Sequence, residues 1–337
     1  DDETMVRLKE WCDEFRPELS HLFELVQEYR KWGKIKSTYI DGYAKYINSA
    51  TLKIHPDLFA LSTDTGRMNC RNPNAQNMPR KTNDPIGIRS FIKAPDGHYI
   101  LSLDFSQIEL RVGAFYCRDE VMMDTYRKGG DIHAATTSVI FGCTYEEAKD
   151  KNFPEYKEHR TIAKNVNFGT FYGLFPRGLQ KTLKFKAGVE RSVEECEEII
   201  NNLKNGYRAL TSWQEETKAE AAKRVYTETW LGRRRYLPAI TSDNWGQKSF
   251  AERCALNTPI QGTAADILKL AIVRILEGLP EREWLKPILQ IHDELTFVIP
   301  EEKLDEAVTF IRACMEAQPF PEFDLPLVAE ASYGHNF

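Results

Sequence analysis

The chain has 337 residues, of which 45 are Lys or Arg and 50 are Asp or Glu, so its formal net charge at pH 7 is −5. A composition of 42% apolar and 28% charged residues is that of a globular protein with a sizeable core, and the length predicts one large lobed domain or two domains. No run of about 18 apolar residues predicts a membrane span. The negative net charge argues mildly against a nucleic-acid partner, which usually attracts a basic face, so local clusters must decide.

The start of the chain and its cysteines bear on its compartment. No Met and no signal-peptide pattern opens the chain, and we expect residue 1 to be a cut end of something longer. The seven cysteines are odd in number, scattered and never spaced as C-x-x-C. This pattern favours reduced thiols in a cytosol-like compartment and no zinc site.

The first third of the chain reads as helix followed by a polar loop. Apolar residues at helical spacing predict helix over residues 1–31, and residues 31–36 form a basic link. Residues 61–90 lack periodicity and predict a loop. A plain surface loop is one interpretation; the other is contact with phosphates, sugars and groove edges through hydrogen-bonding side chains, namely Arg67, Asn74, Gln76 and Asn77.

A strand is predicted over residues 98–103, and it runs directly into Asp104 and then into a helix. A carboxylate at the end of a buried strand is costly to desolvate unless a cation or several donors compensate it. Asp104 is therefore a candidate metal ligand, although a lone Asp at such a place is more often a turn or helix-capping residue.

A second carboxylate cluster lies far along the chain. Residues 287–300 read as a β-hairpin whose turn carries His292, Asp293 and Glu294, where Gly, Asn or Pro would be usual. The turn is either simply solvated or aimed at a ligand. If the strands ending at Asp104 and Asp293 converge across a sheet, the two carboxylates suit a hard cation such as Mg²⁺.

Helices follow in the middle of the chain. Residues 129–142 and a capping box at Thr144–Glu147 introduce helices, and a second capping box lies at Ser192–Glu195. His133 alone is more often structural than catalytic. In the helix predicted over residues 158–173, four side chains lie on one slanting stripe, Arg160, Lys164, Phe168 and Tyr172. This stripe is either a solvated basic end joined to a core-facing aromatic end, or a site where cations hold a polyphosphate and a ring stacks on a base.

The last third of the chain alternates hairpins and helices. Residues 229–238 form a Gly-turned hairpin whose cations, Arg233 to Arg235 together with the nearby Lys223 and Arg224, suit a template or primer backbone. Pro259 and Gly262 are expected to break the helix over residues 249–276, with Gln261 at the break. A helix over 302–317 and a strand over 326–333 close the chain.

Three motifs together carry a specific resemblance: DFSQIELR at 104–111, RTIAKNVNFGTFYG at 160–173 and IHDE at 291–294. With the intervening TGRMNCRNPNAQNMP, GRRRYLP and QGTAAD, residues 29–337 resemble the polymerase portion of family A DNA polymerases, the polymerase I family. Phe105 stands where Tyr is common in that family, and residues 1–56 are short for a whole thumb.

The resemblance implies an α+β right-hand polymerase fold with an antiparallel palm sheet, mostly helical fingers and a truncated helical thumb. The corresponding segments are a partial thumb remnant at 1–56, a first palm part at 57–111, fingers at 112–280 and a second palm part at 281–337.

The resemblance also implies roles for individual residues. Asp104, the Phe105 carbonyl and Asp293 would bind two Mg²⁺ ions, with Glu294 assisting nearby. At the phosphates of the incoming nucleotide we expect Arg160, His133 and Lys164, with Lys164 placed to protonate the departing pyrophosphate. Phe168 would stack on the nucleotide, and Tyr172 would cover the templating position. Glu109 would block a ribose 2′-hydroxyl, and Gln107 is a further residue expected to contact the nucleotide. The residues expected to contact DNA are Arg67, Gln261 and His292 at the nascent end, Arg253 and Asn257 on the template side, and Arg233, Asn74, Gln76 and Asn77.

The activity implied is template-directed addition of deoxynucleotides to a primer 3′-end in DNA replication or repair, without proofreading in this chain. Its partners would be primer-template DNA and deoxynucleoside triphosphates, and a processivity factor is a further candidate partner. We expect a monomer that does not bind a membrane. The expected location is the cytoplasm of a bacterium or of a phage-infected host. Three alternatives remain open: a single-subunit RNA polymerase, a two-metal nuclease and a non-catalytic nucleic-acid-binding module. Glu109 together with Tyr172 fits selection of deoxynucleotides better than the ribonucleotide selection of an RNA polymerase. A two-metal nuclease has no need for the helical stripe. A non-catalytic binding module has no reason to keep Asp104 and Asp293 together.

Overall fold

The computed structural model describes residues 2–79 and 84–337, which fall into two compact units. The first unit comprises Asp1–Phe59, Asn69–Lys93 and Asn336–Phe337, apart from the residues outside the described ranges. The second comprises Ala60–Met68 and Ala94–His335. Arg67 thus belongs to the second unit, whereas Asn74, Gln76 and Asn77 belong to the first.

The first unit is mostly helical. Helices α1 (Asp2–Phe15) and α2 (Pro17–Lys34) confirm the predicted helical start, and Pro17 opens α2 where a missing N–H is tolerated. The predicted link at 31–36 is wrong: the chain continues as a π-helical stretch, Ile35–Ile40, into α3 (Asp41–Ala44), since a lone Gly33 does not end a helix. Strands β1 (Asp57–Phe59) and β2 (Asn69–Arg71) pair antiparallel, and the loop that follows holds a 3₁₀ turn, Ala75–Asn77.

The second unit is built on a four-stranded antiparallel sheet in the order β6-β7-β3-β8. Its strands are β3 (His98–Phe105), β6 (Lys286–Ile291), β7 (Glu294–Pro300) and β8 (Ala329–Gly334). The predicted strand and hairpin are confirmed, and β8 begins three residues later than the predicted strand. The α+β class and the antiparallel sheet predicted from the sequence are therefore correct.

The helices of the second unit share one hydrophobic core with this sheet, and in that core the β3 residues Leu101 and Leu103 are fully buried. These helices are α4 (Ile108–Cys117), α5 (Glu120–Arg127), α6 (Ile132–Phe141), α7 (Tyr156–Thr170), α8 (Pro176–Thr182), α9 (Val193–Gly206), α10 (Arg208–Arg224), α11 (Trp245–Gly278) and α12 (Leu304–Glu316). A small hairpin, β4 (Tyr226–Glu228) and β5 (Arg234–Tyr236), precedes α11. None of the helices in the described ranges is both long enough and apolar enough to cross a membrane.

The predicted break at Pro259 and Gly262 is wrong, because α11 runs without interruption from Trp245 to Gly278. A proline inside a helix leaves the carbonyl four residues earlier without its usual N–H donor. That carbonyl belongs to Ala255, and it accepts a hydrogen bond of 3.2 Å from the hydroxyl of Thr227 in β4. The neighbouring hairpin therefore satisfies the group that the proline leaves open.

The two predicted capping boxes have different outcomes. At Ser192 both reciprocal bonds with Glu195 form and open α9. At Thr144 the bonds to Glu147 also form, at 2.7 and 3.2 Å between the backbone N–H groups and the side-chain oxygens, but they open only a 3₁₀ turn, Glu147–Lys149. All seven cysteines are free thiols.

Candidate active site

The sheet brings the two predicted aspartates to one edge. Asp104 lies near the end of β3 and is the register partner of Glu294 in β7, the residue after Asp293. The backbone N–H of Phe105 donates to the carbonyl of Asp293 at 3.2 Å, which closes the connection between the strand end and the hairpin turn. His292 occupies the turn with a φ of 54°. The convergence of the two strand ends expected from the sequence is confirmed.

The charge environment of the two aspartates differs. Asp104 is solvent-exposed, whereas Asp293 is half-buried. Burial raises the pKa of Asp293 to about 6, and the negative charges of Glu109 and Asp104 add to this while Arg67 opposes it. A cation bound at this edge would oppose the shift and keep the carboxylate ionised.

This donor set suits Mg²⁺ better than a cation held entirely by protein. Within residues 2–79 and 84–337, no group of three or more His, Cys, Asp or Glu side chains could hold a metal ion. Mg²⁺ is commonly bound through one or two carboxylates, with waters and substrate phosphates completing its octahedron. Two aspartates and a backbone carbonyl fit that mode and do not fit a structural zinc site.

Glu109 is the centre of a cluster of hydrogen-bond donors. It lies in the first turn of α4 with a side chain 13% exposed, and its Oε1 pairs with the Arg67 guanidinium. The hydroxyl of Tyr172 donates to Oε2, and the amide of Gln261 reaches Oε1 at 3.5 Å. Burial, followed by the charge of Glu109 and this hydrogen bond, raises the pKa of Tyr172, so the phenol stays protonated. The structure thus assembles four predicted site residues from four separate parts of the chain.

Helix α7 confirms the helical spacing of the predicted stripe, with Tyr172 just beyond its last residue. Lys164 and Phe168 are exposed, and Phe168 presents 52% of its surface. Arg160 instead forms an ion pair of 2.6 Å with Asp131. Burial raises the pKa of Asp131, but the hydrogen bond and charge of Arg160 outweigh it, so the pKa lies below its ordinary value.

His133 is buried beside this pair. Burial lowers its pKa to about 4; the positive charges of Arg160 and Lys164 act in the same direction, while Asp131 opposes them. The ring is therefore neutral near pH 7. The amide of Asn167 donates to Nδ1 at 3.0 Å, which assigns the ring proton to Nε2 and leaves that N–H as a donor.

The predicted DNA-contacting residues of the second unit are placed differently from one another. Arg253 donates to the Ser249 hydroxyl at 2.7 Å. The buried Oδ1 of Asn257 has no hydrogen-bond partner within the described part of the chain. Arg233 is engaged inside the protein, by Asp266 and by the Thr65 carbonyl. Gln107, which was predicted to contact the incoming nucleotide, accepts a hydrogen bond of 3.2 Å from Tyr126 through its amide oxygen.

In the first unit, the predicted polar loop is held locally. Asn74 caps the 3₁₀ turn by accepting from the Gln76 backbone at 3.1 Å. Tyr39 and Tyr43 donate to the carbonyls of Asn77 and Asn74, at 2.7 and 3.2 Å. The Asn77 side chain takes no part in these bonds, and the residue is exposed.

Sequence reasoning missed residues that support the site. Arg111 is 8% exposed and donates to the carbonyls of Ser106 and Pro326, at 2.9 and 2.7 Å, so it ties the turn after Asp104 to the approach of β8. Asp131 caps α6 by accepting from the His133 backbone at 2.9 Å. The Gly-Gly-Asp run before an apolar helix is an N-cap signal that could have identified Asp131. Asn167 had no comparable signal.

Comparisons with known proteins agree with this geometry. A model of the family described as DNA polymerase family A matches residues 7–337. DNA polymerase I of Pseudomonas aeruginosa is 37% identical over 315 residues, covering 93% of this chain and 33% of that protein. A thermostable DNA polymerase I of Thermus filiformis is 36% identical over 94% of this chain and 36% of its own length.

A solved structure is similar over the whole chain. The POL domain of Pol1 from M. smegmatis, in complex with DNA primer-template and dNTP, superposes with a TM-score of 0.85 and 30% identity, covering 100% of this chain and 56% of that one. The chain spans about a third of the length of the curated relatives named above.

Proposed function

The chain belongs to DNA polymerase family A, and from that premise we propose that it adds deoxynucleotides to a primer 3′-end as directed by a template. The observation that carries the proposal is the convergence of Asp104 and Asp293 at one sheet edge, beside the Arg67, Glu109, Tyr172 and Gln261 cluster. Phosphoryl transfer requires positioning and charge neutralisation more than covalent help, and no nucleophilic side chain is needed. The proposed partners are primer-template DNA and deoxynucleoside triphosphates.

Asp104, Asp293 and the Phe105 carbonyl would hold Mg²⁺, proposed here as two ions. When bound, the ions would activate the primer hydroxyl and neutralise the triphosphate. Glu294, the register partner of Asp104, would assist nearby. The half-burial of Asp293 supports this assignment, because it makes a charged carboxylate costly unless a cation compensates it.

The exposed face of α7 is proposed to receive the incoming nucleotide. Lys164 is exposed, so its ammonium group can contact the phosphates and protonate the departing pyrophosphate. The exposed ring of Phe168 can stack on the nucleotide. Arg160 would exchange its half-buried pairing with Asp131 for a phosphate, which offers the guanidinium a charge-assisted, bidentate partner of the same sign as the carboxylate. The neutral His133 would donate through Nε2.

Tyr172 is proposed to cover the templating position and Glu109 to exclude a ribose 2′-hydroxyl. Gln107 would line the nucleotide side. The proposed DNA contacts are Arg67, Gln261 and His292 at the nascent end, Arg253 and Asn257 on the template, and Arg233, Asn74, Gln76 and Asn77 elsewhere along the duplex. The proposed segments remain a thumb remnant at 1–56, palm at 57–111 and 281–337, and fingers at 112–280. We further propose that the chain acts in the cytoplasm as a monomer and that a processivity factor is a candidate partner.

Templated single-nucleotide insertion tests the proposal. The chain is incubated with a labelled primer on templates that differ only at the next base, and each of the four deoxynucleotides is supplied separately. We expect extension by one residue with the complementary nucleotide in each case. Extension that is independent of the template base, or no extension on any template, would reject the proposed function.

We predict that the affinity for primer-template DNA falls steeply as salt rises, despite the net charge of −5. Each phosphate neutralised contributes a slope of roughly −0.9 in a plot of log K against log salt. The cations proposed to contribute are Arg67, Arg71, Arg80, Lys81, Lys223, Arg224, Arg233, Arg234 and Arg235, of which Arg80 and Lys81 lie outside the described residues.

Several of these cations are paired at the protein surface, for example Lys223 and Arg224, which both pair with Glu220, at 2.8 and 3.3 Å. Exposed pairs of this kind contribute about 0–1 kcal/mol each, so phosphates can replace the carboxylates. Fluorescence anisotropy over a salt series measures the slope, and a flat dependence would contradict a phosphate-backbone footprint.

We also predict that the 337-residue chain leaves a mismatched 3′-labelled primer uncut when Mg²⁺ is present and nucleotides are absent. A proofreading site needs its own cluster of carboxylates for two metals and space for a frayed strand, whereas Asp104 and Asp293 are proposed to act on a paired 3′-end and an incoming triphosphate. Gel electrophoresis of the primer over time is the measurement. Stepwise shortening that is lost on substitution outside Asp104 and Asp293 would reveal a nuclease site elsewhere.

A further inference from the structure

An ion pair between a partly exposed arginine and a buried aspartate lies between the β4–β5 hairpin and α11. The Arg233 guanidinium contacts the carboxylate of Asp266, which is 8% exposed. Thr229 completes the arrangement: its hydroxyl donates to Asp266 at 2.9 Å and accepts from the Arg233 backbone N–H at 3.3 Å. A carboxylate buried in this way is stable only while these donors stay in place.

The same guanidinium also holds a loop of another part of the chain. Arg233 donates to the carbonyl of Thr65 at 2.7 Å. Gly66, with a φ of +80°, lies directly against this guanidinium, and a Cβ at that position would overlap it. On the helix side, Gly262 leaves room for the loop, since a Cβ there would stand 3.1 Å from the Thr65 carbonyl oxygen. The loop is thus packed between hairpin and helix with no space for a side chain at either glycine.

This loop carries Arg67 to the candidate active site. Arg67 is two residues after Thr65, a span of at most about 7 Å of backbone, so the Thr65 carbonyl is a close anchor for the position of Arg67. The Arg67 carbonyl is fixed by the Thr63 hydroxyl at 2.7 Å, and its guanidinium pairs with Glu109. A continuous series of contacts therefore joins Asp266 to Glu109.

We propose that the Arg233–Asp266 ion pair is a positioning device for Arg67, and through Arg67 for the Glu109 cluster. This inference rests on the proposed polymerase function and adds residues that do not touch the reacting atoms. In this role Arg233 acts through the Thr65 carbonyl. Asp266 pairs with its guanidinium, and Thr229 holds both Asp266 and the Arg233 backbone. The exposed part of the guanidinium remains available for the DNA contact proposed above.

A double-mutant cycle tests the coupling. Wild type, Asp266→Asn, Arg67→Ala and the double variant are compared for kcat and KM of single-nucleotide insertion. We expect Asp266→Asn to lower kcat/KM by roughly 2- to 30-fold, the range seen for residues that act through a packed network. In the Arg67→Ala background, the same substitution should cost less than about twofold, because the group it positions is gone.

Arg274→Gln is the matched control. Arg274 lies on the same helix and also ties down a segment through backbone carbonyls, those of Cys314 and Ala317 at 3.3 and 3.1 Å, away from Arg67. Any loss in kcat/KM that Arg274→Gln causes should be the same in the wild-type and Arg67→Ala backgrounds, so that the two fold-losses multiply in the double variant. This result would separate a positioning effect from a general loss of stability.

Thr229→Val provides a milder variant of the same arrangement if Asp266→Asn does not show cooperative thermal unfolding. It removes one donor to Asp266 and preserves the side-chain shape. If the losses in kcat/KM caused by Asp266→Asn and Thr229→Val multiply with the loss caused by Arg67→Ala, the inference is overturned while the proposed function stands. The same conclusion follows if these two variants keep the wild-type kcat/KM and Arg67→Ala lowers it. Failure of the wild-type chain to extend any primer would reject the proposed function and this inference with it.

Discussion

Asp104→Ala and Asp293→Ala are each expected to abolish nucleotide addition while primer-template binding stays close to wild type. Each substitution removes a proposed metal ligand and the charge stabilisation that goes with it. Comparable electrostatic groups contribute about 3 kcal/mol or more, which is at least a hundredfold in rate. Rapid-quench measurement of single-nucleotide insertion, with DNA affinity measured in parallel, separates the two effects.

Glu330→Gln is the matched control for these variants. Glu330 is exposed and is the register partner of Asp104 on the β8 side, whereas Asp293 lies on the β7 side. If Asp104 and Asp293 act as specific ligands, loss of this neighbouring carboxylate should leave most of the activity. Insertion at the wild-type rate by either aspartate variant would contradict the metal assignment.

Glu109→Ala is expected to admit ribonucleotides. The side chain that fills the proposed 2′ space is removed, and a site that discriminates by filling a small volume typically does so by roughly 10- to 200-fold. Deoxynucleotide insertion should also fall, because Arg67 and Tyr172 lose their common acceptor. The ratio of kcat/KM for the two sugars is the measurement.

Glu109→Gln separates the two contributions of this residue. It keeps the side-chain volume and removes the charge that pairs with Arg67. The sugar ratio should therefore stay near that of wild type in Glu109→Gln and change only in Glu109→Ala. An unchanged ratio in both variants would argue against exclusion of the 2′-hydroxyl by Glu109.

The parts of the site that sequence could predict are those set by local pattern. An apolar strand ending at Asp104 and a hairpin with acidic residues at its turn are readable because strand and turn preferences act over a few residues. Their adjacency followed from sheet pairing once both were identified. The α7 stripe was readable for the same reason, since helical periodicity alone places Lys164 and Phe168 on one face.

The parts that sequence could not predict depend on partners distant in the chain. Pro259 does not interrupt α11, because Thr227 of the preceding hairpin bonds the carbonyl of Ala255. Likewise, nothing local indicates that Arg160 pairs with Asp131, or that Arg233 turns inward to Asp266. Long side chains choose among many acceptors, and tertiary packing decides which of them is near.

The most direct test of the proposed activity is extension of a primed template by this chain with the four deoxynucleotides, in Mg²⁺ and in excess chelator. The account predicts complete copying of the template overhang in Mg²⁺, none in chelator, and recovery when Mg²⁺ is restored. Extension that continues in chelator, or no extension in Mg²⁺ by a chain that binds the DNA, would contradict it.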